Sequence, residues 1–180
     1  MIDSSVKCSD KPETLGWKII CSIIASFGRK TWIPVEYIIE KPKEFKAWID
    51  SVMELRKAYD EKTVMFINAA ILKMMALQPS GTDSIWPSKV VADVIENIAG
   101  TKLEEQKNAA SSFASGKTNS LGARCVGDGT VELEQYKKYT GFAESYRATH
   151  PTTALALEYI AGSYKRDADM DKQRAIIGWF

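Results

Sequence analysis

Histidine occurs once in these 180 residues and cysteine three times. A structural zinc site needs a full set of Cys or His ligands at local spacings. Cys8, Cys21 and Cys125 are far apart and form no C-x-x-C pair, so the sequence predicts neither a metal site nor a cofactor. Their odd number and wide spacing also argue against a secreted disulfide framework and for a reducing compartment, with the cytoplasm as the expected location. Excess charge of either sign is lacking too. Lys and Arg together number 24 against 23 for Asp and Glu, a formal net charge of +1, which gives no global pull toward nucleic acid or an anionic membrane.

Long apolar runs are missing. Trp17 to Phe27 covers about 11 residues, well short of the roughly 20 that a membrane span requires. Asp10 and Glu13 precede it and Ala25-Ser26-Phe27 offers no small-x-small cleavage site, so it also reads poorly as a signal peptide. Val64 to Leu77 is interrupted by Asn68 and Lys73. Both runs are read as buried core helices, and no membrane partner is expected. The sequence has no internal repeat and no low-complexity stretch. Gly116-Lys117-Thr118 looks like the end of a phosphate-binding loop, but Ser111 stands where that loop needs its first glycine.

What the chain does have is helical periodicity. Met1 to Asp10 is polar and expected to fray. Pro12 and Glu13 suit a helix start for Leu15 through Phe27, with Gly28 as its end. Thr31 to Glu40 has strand character and reads equally as an edge strand or an extended connector. From Pro42, the residues Phe45, Trp48, Ile49, Val52, Met53, Arg56 and Tyr59 recur at spacings of three and four and share one helix face. Asp60 is the expected N-cap of a buried run, Val64, Met65, Ile67, Ile71, Leu72 and Met75, which Gln78-Pro79-Ser80-Gly81 stops.

Pro87 is placed in the first turn of a helix with the stripe Val90, Val91, Val94, Ile95 and Ile98, closed by Gly100 at positive φ. Thr101 and Glu104 form a capping-box pattern for a helix carrying Leu103, Ala110 and Phe113, with Gly116 as its end. Lys117 to Thr130 bears three glycines and is read as a long loop. Thr130 then caps a helix bearing Leu133, Tyr136, Tyr139, Ala143 and Tyr146. His150-Pro151 starts the last helix, whose apolar line is Ala154, Leu157, Ile160, Ala161, Tyr164 and Ala168. The expected fold is all-α: one helical bundle of about seven helices over residues 1–180, with at most one short strand pair.

Three function classes remain. A Cys/His-dependent enzyme would use Cys125, whose thiolate the neighbouring Arg124 favours, with His150 as general base. A winged-helix DNA-binding protein would use helices 88–99 and 102–115 and a wing at 121–130, contacting phosphate and bases through Lys107, Lys117 and Arg124. Glu104 and Glu105 in the first turn of its second helix oppose that reading. Asp167, Asp169 and Asp171 alternate along a helix and are read as a solvated face rather than metal ligands. Trp179 and Phe180 put aromatic groups at the end of the sequence, where they either fold back or anchor a partner. The reading preferred from sequence is a non-enzymatic helical regulator, adaptor or inhibitor that binds another protein, with nucleic acid as the alternative partner.

Overall fold

Proline and a carboxylate open the first two helices of the computed structural model, which describes residues 41–78, 85–120 and 127–177. Helix α1 (Pro42–Arg56) has its proline in the first turn, where the missing N–H costs nothing. Helix α2 (Glu61–Met75) is capped as the sequence predicts: Asp60 Oδ1 accepts from Thr63 N at 3.0 Å and Oδ2 from Thr63 Oγ1 at 2.7 Å. These bonds hold the Asp60 carboxyl below its ordinary pKa. Phe45, Ile49, Val52 and Met53 are the buried face of α1. Arg56 Nη1 ties α1 to α2 by donating to Asn68 Oδ1 at 2.7 Å.

Helix α3 (Lys89–Ala99) buries Val91, Ala92, Val94, Ile95 and Ile98 and ends at Gly100, where φ is +66°. Its start falls two residues later than the sequence suggests. Ser88, not Pro87, occupies the cap position, and its backbone carbonyl accepts from Val91 and Ala92. Ser88 Oγ is turned away to donate to Gln78 Oε1 at 2.9 Å. Helix α4 is Leu103–Asn119. The capping box of Thr101 and Glu104 does not form; Lys102 is the cap residue, its Nζ is 3.0 Å from Glu105, and Gln106 Nε2 donates to the Gly100 carbonyl.

Helices α5 (Thr130–Tyr146) and α6 (Pro151–Ile177) form an antiparallel pair. Gly129 precedes α5 with φ +80°, and Asp128 Oδ1 accepts from Thr130 N at 2.9 Å, so the capping role expected of Thr130 falls to Asp128. A Cβ on Gly129 would lie 2.7 Å from the Ala168 carbonyl oxygen, which shows how closely the two helices meet at that end.

The fold is all-α, with six helices among the described residues and no strand among them. The first expected helix, the Thr31 to Glu40 segment, and the two terminal aromatics Trp179 and Phe180 lie outside the described residues. All six helices contribute to one apolar cluster that runs from Phe45 through Ile71, Ile95 and Phe113 to Tyr139 and Leu157. Among the described residues no helix is long and apolar enough to cross a membrane.

Two further expectations fail. Residues 117–119 continue α4 rather than begin a loop. Gly116 is also no terminator: a Cβ there would sit 2.6 Å from Lys73 Cα and 2.6 Å from the Lys73 carbonyl oxygen. It is the point at which α2 and α4 touch through their backbones. At the other end of the pair, Lys102 lies within the electrostatic reach of Glu61, so α2 and α4 run side by side in the same direction. The second failure is Met65 and Leu103, expected in the core but 55% and 64% exposed.

Candidate functional site

His150 is the residue from which catalysis would have to start, and it is buried where α3 meets the start of α6. Its Nε2 is 2.9 Å from Asp93 Oδ1 and its Nδ1 is 2.7 Å from Thr149 Oγ1. A carboxylate only accepts, so Nε2 carries a proton and a neutral ring takes the Thr149 hydroxyl hydrogen on Nδ1. The ring also stands edge-on to Tyr146, 5.3 Å between centroids, and Tyr146 Oη donates to the Pro87 carbonyl at 2.6 Å. A hydroxyl, an imidazole and a carboxylate in line resemble a catalytic series. Here both ring nitrogens are committed and the ring is enclosed, so the group works as a bolt between α3 and α6.

One turn along α3, Glu96 completes the joint. Its carboxylate accepts from Thr153 N at 2.8 Å, Thr152 N at 3.2 Å and Thr153 Oγ1 at 3.0 Å. The first N–H groups of a helix have no partner within it and carry its positive end. Glu96 therefore caps α6 from a distance of more than fifty residues in sequence, a link that no local motif announces.

Asp93 sets a pH dependence. Burial opposes ionisation of its carboxyl, but hydrogen bonds from His150 and Lys89 outweigh that and hold its pKa below the ordinary value. A depressed carboxyl adds stability that is complete above its unfolded-state pKa, about 3.9, and is lost as the pH falls through the folded value. The side chain is about half exposed, so solvent screening keeps the contribution small. Asp93→Asn should therefore flatten the acid limb of stability below about pH 4, as read by thermal unfolding across that range.

A groove of about 400 Å³ lies beside this joint, lined by Pro42, Lys43, Ile49, Val90, Asp93 and Val94 among others. Its acidic groups are already engaged: Asp50 is paired with Lys46 at 2.9 Å, and Asp93 with Lys89 and His150. Asp171, read from sequence as solvated, is buried and lies 3.4 Å from Arg174. Among the described residues no group of His, Cys, Asp and Glu is arranged to hold a metal ion.

The candidate residues from sequence therefore scatter. Lys107 is exposed on α4, alongside exposed Glu104 and Glu105. Lys117 is half-buried, its Nζ 4.8 Å from the centre of the Trp86 ring. Arg124 and Cys125 lie outside the described residues, as do Trp179 and Phe180. Ile176, on the last turn of α6, is 85% exposed and does not fold back onto the bundle.

What sequence reading missed is the outward face of α2. Phe66 is 57% exposed and Leu77, just beyond the helix end, is 39% exposed. Together with Met65 they flank Ala69 and Ala70 on a helix also carrying Lys62 and Lys73. The signal was present: α2 is apolar on nearly all sides, which fits either complete burial or a second docking face. No protein-family model matches this chain, and neither does any curated protein or any solved structure.

Proposed function

We propose that this chain is a non-enzymatic binding protein, a helical regulator or adaptor, and that it holds a partner protein on the outward face of α2. The observation that carries the reading is the exposure of Met65 and Phe66 on a helix that buries Ile67, Ile71, Leu72 and Met75. Exposed aromatic and Met side chains gathered on one surface are unusual on an isolated domain and typical of interfaces. Leu103, at the start of α4, is a further exposed apolar side chain.

The charges around the patch indicate the partner's chemistry. Positions 62, 66, 70, 73 and 77 fall on one line of the helix by the 3.6-residue period, a line that borders the contact of Lys73 with Gly116 of α4, and Lys62 and Lys73 stand on it either side of Phe66. Both are exposed, and neither has an ion pair among the described residues. An amphipathic helix with an apolar stripe and acidic flanks is the complementary surface: Phe66 fills the centre and carboxylates meet the two lysines.

Variants test this directly. The tagged chain is recovered from its own cells after nuclease treatment, alongside Phe66→Asp, the double variant Lys62→Glu/Lys73→Glu, and Lys107→Glu as a charge control. Phe66→Asp should reduce the affinity of the isolated partner by at least about tenfold, as truncating a buried aromatic anchor does. The lysine reversal should mainly slow association, and Lys107→Glu should change neither. Equal binding by wild type and Phe66→Asp, with both folded by circular dichroism, would remove α2 as the docking face.

A further inference from the structure

We propose that Thr149 is an acyl-acceptor site: its hydroxyl, activated by His150, takes an acyl group from an activated ester or thioester. The joint between α3 and α6 is closed at the imidazole ring but open at its outer end. His150 is buried, whereas Thr149, in the turn between α5 and α6, is exposed. Thr149 Oγ1 is 2.7 Å from His150 Nδ1, the ring nitrogen that accepts, and Nε2 is 2.9 Å from Asp93 Oδ1. Asp93 is held in turn by Lys89 at 2.9 Å. A hydroxyl within reach of a base that a third group orients is the arrangement that makes an alcohol nucleophilic. With its hydrogen committed to Nδ1, Oγ1 keeps its lone pairs for an electrophile.

Other exposed hydroxyls of the chain are placed differently. Ser51, Ser120 and Ser145 donate to the backbone carbonyls of Ala47, Lys117 and Gly141, and a carbonyl does not take up the proton. His150 is the one imidazole in the 180 residues. In the reaction Oγ1 bonds to the acyl carbon while its proton passes to Nδ1, and Asp93 stabilises the imidazolium so formed. The bond to the leaving oxygen or sulfur then breaks, and that atom takes the proton from Nδ1 and departs as an alcohol or thiol. Nothing is oxidised or reduced. The reaction ends at the Thr149 ester, because fast hydrolysis needs N–H donors for an oxyanion. The helix-start N–H groups next in the chain are engaged: those of Thr152 and Thr153 donate to Glu96, and Pro151 has none. The outcome is a modified chain rather than turnover, in keeping with a non-enzymatic binding role.

This site is separate from the face of α2 and stands whatever binds there. The probe is p-nitrophenyl acetate, added to the whole chain, with acetylation followed by peptide mass spectrometry and Ser145 as the internal reference. Thr149 should acquire one acetyl group at least about a hundredfold faster than Ser145, the low end of what a positioned general base contributes. Thr149→Ser should keep the reaction and Thr149→Val should lose it. His150→Gln should bring the rate at Thr149 down to that of Ser145. Asp93→Asn should slow it about tenfold or more with the circular dichroism unchanged, because an amide lets the ring take the other tautomer. That variant keeps the test decisive if His150→Gln does not fold. Acetylation of Thr149 no faster than Ser145, acetyl on the His150 ring in its place, or a rate unchanged by Asp93→Asn overturns the proposal.

Discussion

Gly116→Ala should destabilise the protein by about 2 kcal/mol, although alanine is the better helix former. In an open helix the exchange gains up to about 1 kcal/mol, because alanine restricts the unfolded chain more than glycine does. Here the new Cβ would meet the backbone of Lys73 at 2.6 Å and the Ala76 side chain at 3.0 Å. No rotamer relieves a contact with backbone, so α2 and α4 must separate, and the packing between them loosens with them. Overpacking of a close core typically costs about 1–3 kcal/mol, and a contact this short falls at the upper end. Gly141 supplies the control. It sits within α5 with nothing within 4 Å of the added carbon, so Gly141→Ala should stabilise by about 0.5–1 kcal/mol. Urea unfolding of the two variants should therefore give shifts of opposite sign. Two shifts of the same sign would mean that α2 and α4 do not meet as closely as described.

Glu96→Ala should cost about 2–3 kcal/mol, a large effect for a side chain that is only partly buried. The substitution removes three accepting contacts to the start of α6 and leaves the N–H groups of Thr152 and Thr153 without a partner next to a buried Thr153 side chain. Hydrogen bonds to a charged acceptor contribute about 1.5–3 kcal/mol, and the carboxylate also meets the positive end of a long helix. Glu96→Gln keeps one accepting oxygen and should lose less than half as much. Because His150 and Asp93 join the same two helices one turn away, the double variant Glu96→Ala/His150→Ala should lose less than the sum of the single losses. Chemical unfolding of the four proteins gives the coupling.

Much of this architecture is legible from spacing alone, and the parts that are not share a physical cause. The faces of α1 and α6 follow from apolar residues three and four apart, and Asp60 caps α2 because its side chain reaches Thr63 only three residues on. Those are local relations. Glu96 and Thr153 are not: the acceptor and the helix start it satisfies become neighbours only after α4 and α5 are in place. Thr101 and Glu104 show the reverse case, a good local pattern that does not form: the helix begins one residue later, at a Lys102 cap whose side chain pairs with Glu105 and leaves the first turn without a side-chain cap. Gly116 reads as a stop signal because glycine usually is one. Within α4 it serves close packing, and the helix continues so that Lys117 can lie on Trp86. Met65 and Leu103 were expected in the core, and Phe66 beside them went unremarked, because hydrophobicity gives the chance of burial but not the direction a helix faces. Exposure of those three is the observation on which the proposed binding role rests.

Hydrogen exchange on the free chain and on its isolated protein complex tests that account most directly. Complex formation should slow exchange in peptides covering residues 62–77, with a smaller effect at the start of α4 near Leu103, and leave α5 and α6 unchanged. Protection confined to the second half of α4 and α5, with the α2 peptides exchanging as in the free chain, would contradict it.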